Sequence, residues 1–555
     1  MDIIECVPNF SEGKDKAKIK QITDEIEKIE GVKLLDVDPG EATNRTVVTF
    51  VGTVKGVKEA AFRAIKKAAE VIDMRKHKGA HARMGATDVC PFVPVSGVTM
   101  DDCVQIANEV GERVAKELSI PVYLYEEAAK KPERKNLANI RAGEYEGLPE
   151  KLKDPEWKPD YGEPVFNEKS GATVIGAREF LIAYNINLNT KDRRLAHEIA
   201  LNIREKGRAK RDKDGKIIRD ENGKALKVPG KLKAVKAVGW YIDEYGIAQI
   251  SVNLINYKIT PLYKLFEVCR NEARKLGLRV TGSELVGLIP KEAMLEVGRY
   301  YLEKQGRCPG VPEEDLIMIA VTSLGMDQLY PFKPEEKIIE YTIAEQKELQ
   351  SMNIRAFSNE LSTDSPAPGG GSVAALSGAL GASLTSMVAN LTYGRKGYNR
   401  AKKLMKNVSL LSQNLKDEFL DLIEKDTDAF NRVMDSFRMP KKTDEDKKLR
   451  EEAIEDATKE ATLIPLEVMK KTVEILDLAE KAERRGNQNS VSDAGVAAIM
   501  ANAACESAYL NVIINLGNIK DDEFKKSVKD EAEKILKKVK TGTKRVKNKV
   551  IKKLL

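Results

Sequence analysis

Histidine is nearly missing from this chain: three in 555 residues, His77, His81 and His197. Tryptophan occurs twice, and aromatics make up only 6%. The six cysteines (Cys6, Cys90, Cys103, Cys269, Cys308, Cys505) are scattered, with no Cys-x-x-Cys pair. That argues against a zinc ribbon or a disulfide framework and fits a reducing cytosol. MDIIECVPNF puts an acid at position 2 and no basic segment before an apolar run, so no signal peptide is expected. Charge is absent from Ser365 to Gly394, a run long enough to raise the question of a membrane span. Gly, Ser, Thr and Asn keep its hydrophobicity low, and a closely packed bundle helix is the expected reading.

What the chain has is length for about three or four domains. It also has a net charge of +7, unevenly placed. From Lys525 to Leu555 thirteen Lys and Arg stand against three acids. A solvated helix face is the default reading of such a run, and nucleic-acid binding is the competing one. The stretch holds no Phe, Tyr or Trp to stack on bases, which counts against nucleic acid.

The first 340 residues alternate strand-like and helix-like runs. IIECVPNF, KDKAKIKQITDEIEKI, VKLLDVD, RTVVTFVG, GVKEAAFRAIKKAAEVI and VCPFVPV follow one another as strand, helix, strand, strand, helix, strand. A similar order returns from FLIAYNINL to VTGSELVGLIP. The expected fold is therefore multidomain: two related α/β (βαββαβ) subdomains in the N-terminal half, then an all-α helical bundle domain. Expected boundaries are 1–180, 181–341, a linker at 342–349, and 350–555. KGRAKRDKDGKIIRDENGKALKVPGK (206–231), with its DG and NG turns, reads as an exposed hairpin excursion.

His77 and His81 fall four apart in HKGAHARMGATDVCPF (77–92). That spacing suits a zinc pair on a helix, but Gly79 weakens a helix and no acid or cysteine motif offers a third ligand, so no metal is expected. Gly79, Gly85 and Arg83 instead suit a loop that lets a ligand approach closely and binds a carboxylate, with a histidine as general base. In FLDLIEKDTDAFNRVMDSF, Phe419, Ile423, Phe430, Val433 and Phe437 follow helical spacing, and Asp426 lies on the same stripe. A carboxylate on a core face is costly unless paired or protonated, so Asp426 is a functional candidate. Glu424 and Asp428 should point away into solvent. PAPGGGS could offer free backbone N–H groups at a helix start. GNQNSVSDAG (486–495) makes Asp493 a further candidate.

ECVPNFSEG (5–13), LLDVD (34–38), TNRTV (43–47), HKGAHARMGATDVCPF, PVYLY (121–125), IRAGEYEGLP (140–149), GAREFLIAYNINL (176–188) and GWYID (239–243) resemble the formimidoyltransferase half of the formimidoyltransferase-cyclodeaminase family. APGGGSVAA (367–375) and NVIINL (511–516) resemble its cyclodeaminase half. The resemblance implies a bifunctional enzyme of histidine breakdown. A formimidoyl group passes between N-formimidoyl-L-glutamate and tetrahydrofolate, and 5-formimidoyltetrahydrofolate then cyclises to 5,10-methenyltetrahydrofolate with loss of ammonia. The alternative is transfer alone, with the helical domain serving assembly. The resemblance assigns the transfer base to His81 and the cyclodeaminase aspartate to Asp426. Asp38 would orient His81 or polarise the amidine, and Arg83 would fork onto a glutamate carboxylate; neither role follows from spacing. The folate-binding stretch falls on Gly162, Glu163, Pro164, Val165, Phe166, Asn167, Glu168, Lys169, Ser170 and Gly171. Tetrahydrofolate, as the polyglutamate, is the implied cosubstrate. A cytoplasmic ring of dimers, without metal, nucleic acid or membrane, is the implied setting.

Overall fold

The computed structural model describes residues 2–41, 44–79, 82–343, 348–365 and 367–555. It divides into two compact units, residues 1–294 with 324–344, and residues 295–323 with 345–555.

In the first unit, β1 (Ile3–Cys6) and β2 (Asn9–Phe10) form one interrupted central strand. They are followed by α1 (Lys16–Glu27), β3 (Val32–Gly40), β4 (Arg45–Gly52), α2 (Val54–Val71), β5 (Thr87–Ser96), α3 (Met100–Leu118) and β6 (Val122–Glu126). Two short helices, α4 (Leu137–Ile140) and α5 (Glu144–Lys151), precede β7 (Thr173–Ala177). The strands lie in the order β3-β4-(β1/β2)-β5-β7-β6, antiparallel up to β5 and parallel beyond it. Alternation does the sorting. Ile4, Cys6, Phe50 and Phe92 face the helices in one core, while Glu5 lies opposite Val51 and Val93 on the other face. The helices begin where short polar side chains can cap them: Asp15 for α1, Thr53 for α2, and a Thr99–Asp102 capping box for α3.

The second α/β element set is β8 (Ile182–Leu188), α6 (Arg193–Ile203), a two-stranded outlier β9 (Arg208–Ala209) with β10 (Lys227–Val228), then β11 (Val235–Ile242), β12 (Ile247–Leu254), α7 (Leu262–Lys275) and β13 (Val280–Val286). Its strand order, β11-β12-β8-β13, repeats that of β3-β4-β1-β5. The expected βαββαβ duplication is therefore present in both sheets. His197 lies on α6, where its Nδ1 accepts from the Gly239 amide at 3.4 Å. A Cβ on Gly239 would lie 2.0 Å from the His197 backbone N, so glycine lets β11 press onto α6.

The 206–231 excursion is the expected exposed hairpin, with an unexpected internal repeat. Asp212 Oδ1 accepts from the Asp214 and Lys216 amides, and Asp220 Oδ1 accepts from the Asn222 and Lys224 amides in the same way. Backbone amides of Ile218, Leu226 and Lys210 donate to the carbonyls of Lys210, Ile218 and Leu226, closing a ring.

Next come α8 (Lys291–Lys304), α9 (Glu313–Leu324), and the short α10 (Pro334–Lys337), α11 (Ile339–Thr342), α12 (Glu348–Ser351) and α13 (Ile354–Leu361). The helical bundle is α14 (Gly370–Tyr393), α15 (Lys402–Arg438), α16 (Asp444–Arg485), α17 (Val491–Leu516) and α18 (Asp522–Leu554). The uncharged run becomes α14, buried along Ala374, Ala375, Gly378, Ala382 and Ala389. Its small residues admit neighbours closely: the Phe419 ring sits where a Cβ on Gly378 would be, 2.4 Å away. Residues 295–323, expected with the second α/β subdomain, group instead with the helices. The Gly310 carbonyl accepts from Ser409 Oγ at 2.7 Å and Asn390 Nδ2 at 2.8 Å, satisfying polar groups buried between α14 and α15. The acids of α16 neutralise part of the basic α18, with Arg545 and Lys549 on Glu480 and Lys553 on Glu483.

Candidate active sites

The loop carrying the histidines runs from α2 to β5 and is pinned at both ends to the stretch 162–171. The Met74 amide donates to Lys169 O at 2.9 Å, and the Ala86 amide to Ser170 O at 2.8 Å. Gly85 and Gly171 face each other across an isolated bridge. A Cβ on Gly85 would lie 2.4 Å from Ser170 O, and one on Gly171 2.2 Å from Met84 O, so neither position tolerates a side chain. The expected folate-binding stretch is thus of two kinds. Gly162, Glu163, Pro164, Val165, Glu168 and Lys169 are exposed, with Phe166 and Asn167 half-buried, whereas Ser170 and Gly171 are buried backbone anchors. Phe166 packs on Tyr145 with ring centroids 5.3 Å apart.

His81 lies outside the described residues; His77 does not. Arg83 Nε donates to His77 Nδ1 at 3.2 Å, and His77 Nε2 contacts the Asn44 carbonyl at 2.8 Å. Arginine can only donate, so Nδ1 must accept and Nε2–H must donate. His77 is therefore a bridge between its own loop and the β3–β4 hairpin.

Arg83 departs from expectation. Its guanidinium is buried and already forked: Nη1 reaches Glu144 Oε2 at 2.9 Å, and Nη2 reaches Glu146 Oε1 at 2.6 Å. Glu146 and Glu144 hold its pKa above the ordinary value despite burial. A substrate carboxylate would have to displace a carboxylate the chain supplies itself. Lys78, Gly79, Arg83, Gly143, Glu144 and Glu146 line a cavity of ≈ 470 Å³ on this side. Asp38 is exposed on β3, with the backbone register Asp38–Val47. Its charge reaches Asp36 and Arg45, raising the former's pKa after burial.

Sequence reasoning missed the partners. Asp88, fully buried, accepts from the Met84 amide at 3.0 Å and pairs with Arg141. Arg141, Glu144 and Glu146 all come from IRAGEYEGLP, whose paired acids were the available signal. Sheet two holds a second missed cluster. The buried Glu284 carboxylate accepts from Asn185, Gln249, Tyr245 and Tyr330 at 3.0–3.2 Å, all neutral donors.

In the bundle, two separate sequence clues meet. Asp426 on α15 sits against the first turn of α14, where Ser372 Oγ donates to its Oδ2 at 3.1 Å. A Cβ on Gly371 would fall 2.1 Å from Asp426 Oδ1. Gly370 faces the Asn511 amide of α17 (nearest atom 3.5 Å from a Cβ placed there), and nothing lies within 4 Å of one on Gly369. Burial pushes the Asp426 carboxyl pKa up, and the Ser372 hydroxyl and amide pull it back.

The stripe that pointed to Asp426 is only half right. Phe419 and Ile423 are buried, but Phe430 is 37% and Phe437 49% exposed, because α15 runs on past the start of α14 with α16 still alongside. Asp426 lies at the edge of the core. Glu424 is not merely solvated; it accepts the Gln350 amide at 3.0 Å, whereas Asp428 is exposed. Asp493 belongs elsewhere. The Asn487 amide beside it donates to Thr392 Oγ1 at 2.8 Å, at the far end of α14 from Ser372. Twenty helical residues separate the two ends, roughly 30 Å. Among the described residues, no group of three or more His, Cys, Asp and Glu side chains is placed to hold a metal ion.

Comparison with known proteins covers both halves of the chain. Residues 3–178 match the family model described as formiminotransferase domain, N-terminal subdomain; 183–344 match formiminotransferase domain; 353–534 match formiminotransferase-cyclodeaminase. A rat protein named formimidoyltransferase-cyclodeaminase is 44% identical over 543 residues, 97% of each chain. This chain belongs to the formimidoyltransferase-cyclodeaminase family. Both catalytic halves of the family are present, in the family's order. The N-terminal half is also 44% identical to a glutamate formimidoyltransferase of Streptococcus pyogenes, over 54% of this chain and 93% of the relative. The helical half is 42% identical to a methenyltetrahydrofolate cyclohydrolase of Methylorubrum extorquens, over 33% of this chain and 88% of the relative.

Proposed function

We propose that the α/β half transfers a formimidoyl group between N-formimidoyl-L-glutamate and tetrahydrofolate, and that the helical half closes the product to 5,10-methenyltetrahydrofolate. The observation that carries this reading is the ordered match of all three family domains to a chain whose cyclodeaminase motifs meet at one helix end.

In transfer, N5 of tetrahydrofolate attacks the amidine carbon. The proton leaving N5 must reach the glutamate nitrogen before the old C–N bond breaks. An imidazole titrating near pH 6.5 can make both moves, which is the role of His81. The described residues on either side of it are braced by the His77–Arg83 bridge and by the contacts to Lys169 and Ser170. The charge of Asp38 acts on Asp36 and Arg45, which supports an electrostatic role for it. Gly162 to Lys169 offers the exposed edge that folate would touch.

In cyclisation, N10 attacks the formimidoyl carbon of the cationic amidine. N10 loses its proton, the amidine nitrogen gains it, and ammonia departs, leaving the methenyl cation. Asp426 relays that proton; a carboxyl raised by burial is suited to hold it. A second reading rests on the cyclohydrolase relative. Water attacking the methenyl carbon resembles the reverse step with water in place of ammonia, and would give a formyl folate.

Two incubations test the readings: protein with tetrahydrofolate and N-formimidoyl-L-glutamate, following glutamate, methenyl absorbance and ammonia separately, and protein with supplied 5,10-methenyltetrahydrofolate, following loss of methenyl absorbance. Glutamate release without ammonia would reduce the helical half to assembly; hydrolysis of supplied methenyltetrahydrofolate to a formyl folate, with no ammonia in the first incubation, would favour the hydrolase. The reading extends to a reducing cytoplasm, supported by six free, buried cysteines. It extends to polyglutamylated folate, and to assembly into dimers and rings, supported by exposed Leu380, Met387 and Leu391 along α14 and Leu510 and Ile514 on α17.

A further inference from the structure

We propose that Ser372, aided by the absence of a side chain at Gly371, is a positioning residue for cyclisation, holding the Asp426 carboxylate charged and in one orientation at the start of α14. The inference rests on the proton-relay reading of Asp426.

Three observations point the same way. Ser372 is fully buried, its hydroxyl donates to Asp426 Oδ2 at 3.1 Å, and its backbone amide also favours the charged carboxylate. A buried hydroxyl donor directed at one carboxylate oxygen gives the group a preferred orientation. Gly371 is the space the carboxylate occupies, since a Cβ there would overlap Oδ1 at 2.1 Å. α14 is also long, and its first turn presents the positive end of the helix dipole.

Among the described residues, no cation is placed against Asp426 to do this work instead. α14 carries no charged residue from Gly370 to Tyr393. On α15, Glu424 is occupied by the Gln350 amide, and Lys425 and Asp428 are exposed. From α17 the group near the turn is the neutral Asn511 amide, and Glu506 is paired with Lys540. Burial drives the carboxyl toward its neutral form, and the two Ser372 donors are the opposing influence.

The test uses the full-length chain and supplied 5-formimidoyltetrahydrofolate, with formimidoyl transfer as the internal control and melting curves to verify folding. Ser372→Ala should lower kcat for cyclisation on the order of a hundredfold with KM little changed, as expected for a misaimed catalytic group. The acid limb of its pH profile should move up by about one pH unit, because the charged form has lost its donor. Ser372→Thr, which keeps the hydroxyl, should recover most of the rate. Gly371→Ala should lower kcat while leaving Ser372 intact. Should Ser372→Ala fail to fold, the folded Gly371→Ala variant decides: wild-type kcat there overturns the proposal. An unmoved acid limb in folded Ser372→Ala, alongside a silent Asp426→Asn, removes Ser372 and keeps Asp426. Wild-type cyclisation by Asp426→Asn removes both.

Discussion

Glu5 shows what a single residue can do to the pH response of the fold. It is buried on the face of the first sheet opposite the α1–α3 core, and burial pushes its carboxyl to about 7, against the pull of Arg178. A carboxyl whose folded pKa is raised contributes stability below its unfolded pKa, near 4.3, and loses it as pH rises through about 7. Glu5→Gln should therefore match the wild type in melting temperature near pH 4.5 and exceed it at pH 8. Equal melting at pH 8 would mean the carboxylate finds compensation there. His77 makes a different prediction, because it bridges two parts of the fold. His77→Ala frees Arg83 Nε and the Asn44 carbonyl, and should lower transfer on the order of a hundredfold through a loosened loop, leaving cyclisation alone. His77→Gln, which can reach only one of the two partners, should fall between. Such partnerships were not legible in the sequence. His77 and Arg83 stood out by rarity and spacing, but the acids that occupy Arg83 lie some sixty residues away.

Elements pack here by omission. At Gly378 the Phe419 ring occupies the place of a Cβ, with three ring carbons between 2.4 and 2.8 Å. Gly378→Ala gains about 1 kcal/mol of helix propensity. It also forces a fully buried aromatic aside, which costs about 1–3 kcal/mol. Three close atoms rather than one favour the larger loss, so the variant should melt lower; a higher melting temperature would show that α15 can slide. Small-residue composition did announce a tightly packed helix in the run 365–394. The extent of burial along α15 was less legible, since periodicity shows which residues share a face but not where the neighbouring helix ends. Phe430 and Phe437 keep the spacing of Phe419 yet lie beyond the start of α14 and are partly exposed.

For the whole molecule, two units with separate chemistry should fail separately. His81→Ala should abolish formimidoyl transfer and spare cyclisation of supplied 5-formimidoyltetrahydrofolate; Asp426→Asn should do the reverse, with that intermediate accumulating. Loss of both activities in either variant would contradict independent sites. Duplication of the βαββαβ order could be read from the alternation of runs, because strand and helix periods differ so plainly. The attachment of residues 295–323 to the bundle could not be. It depends on the Gly310 carbonyl meeting Ser409 and Asn390, and a carbonyl leaves no mark in a sequence.

The 206–231 excursion has a bearing on how the protein behaves in a crowded solution. A hairpin added outside a sheet normally offers bare ladder groups on which another chain can build. Here Lys210, Ile218 and Leu226 give their amides and carbonyls to one another in a closed circuit. The arms are charged and short, and their turns bind their own backbone through Asp212 and Asp220. An insertion of this length could have been a nucleus for aggregation. By spending those hydrogen bonds internally, it has become a blunt end.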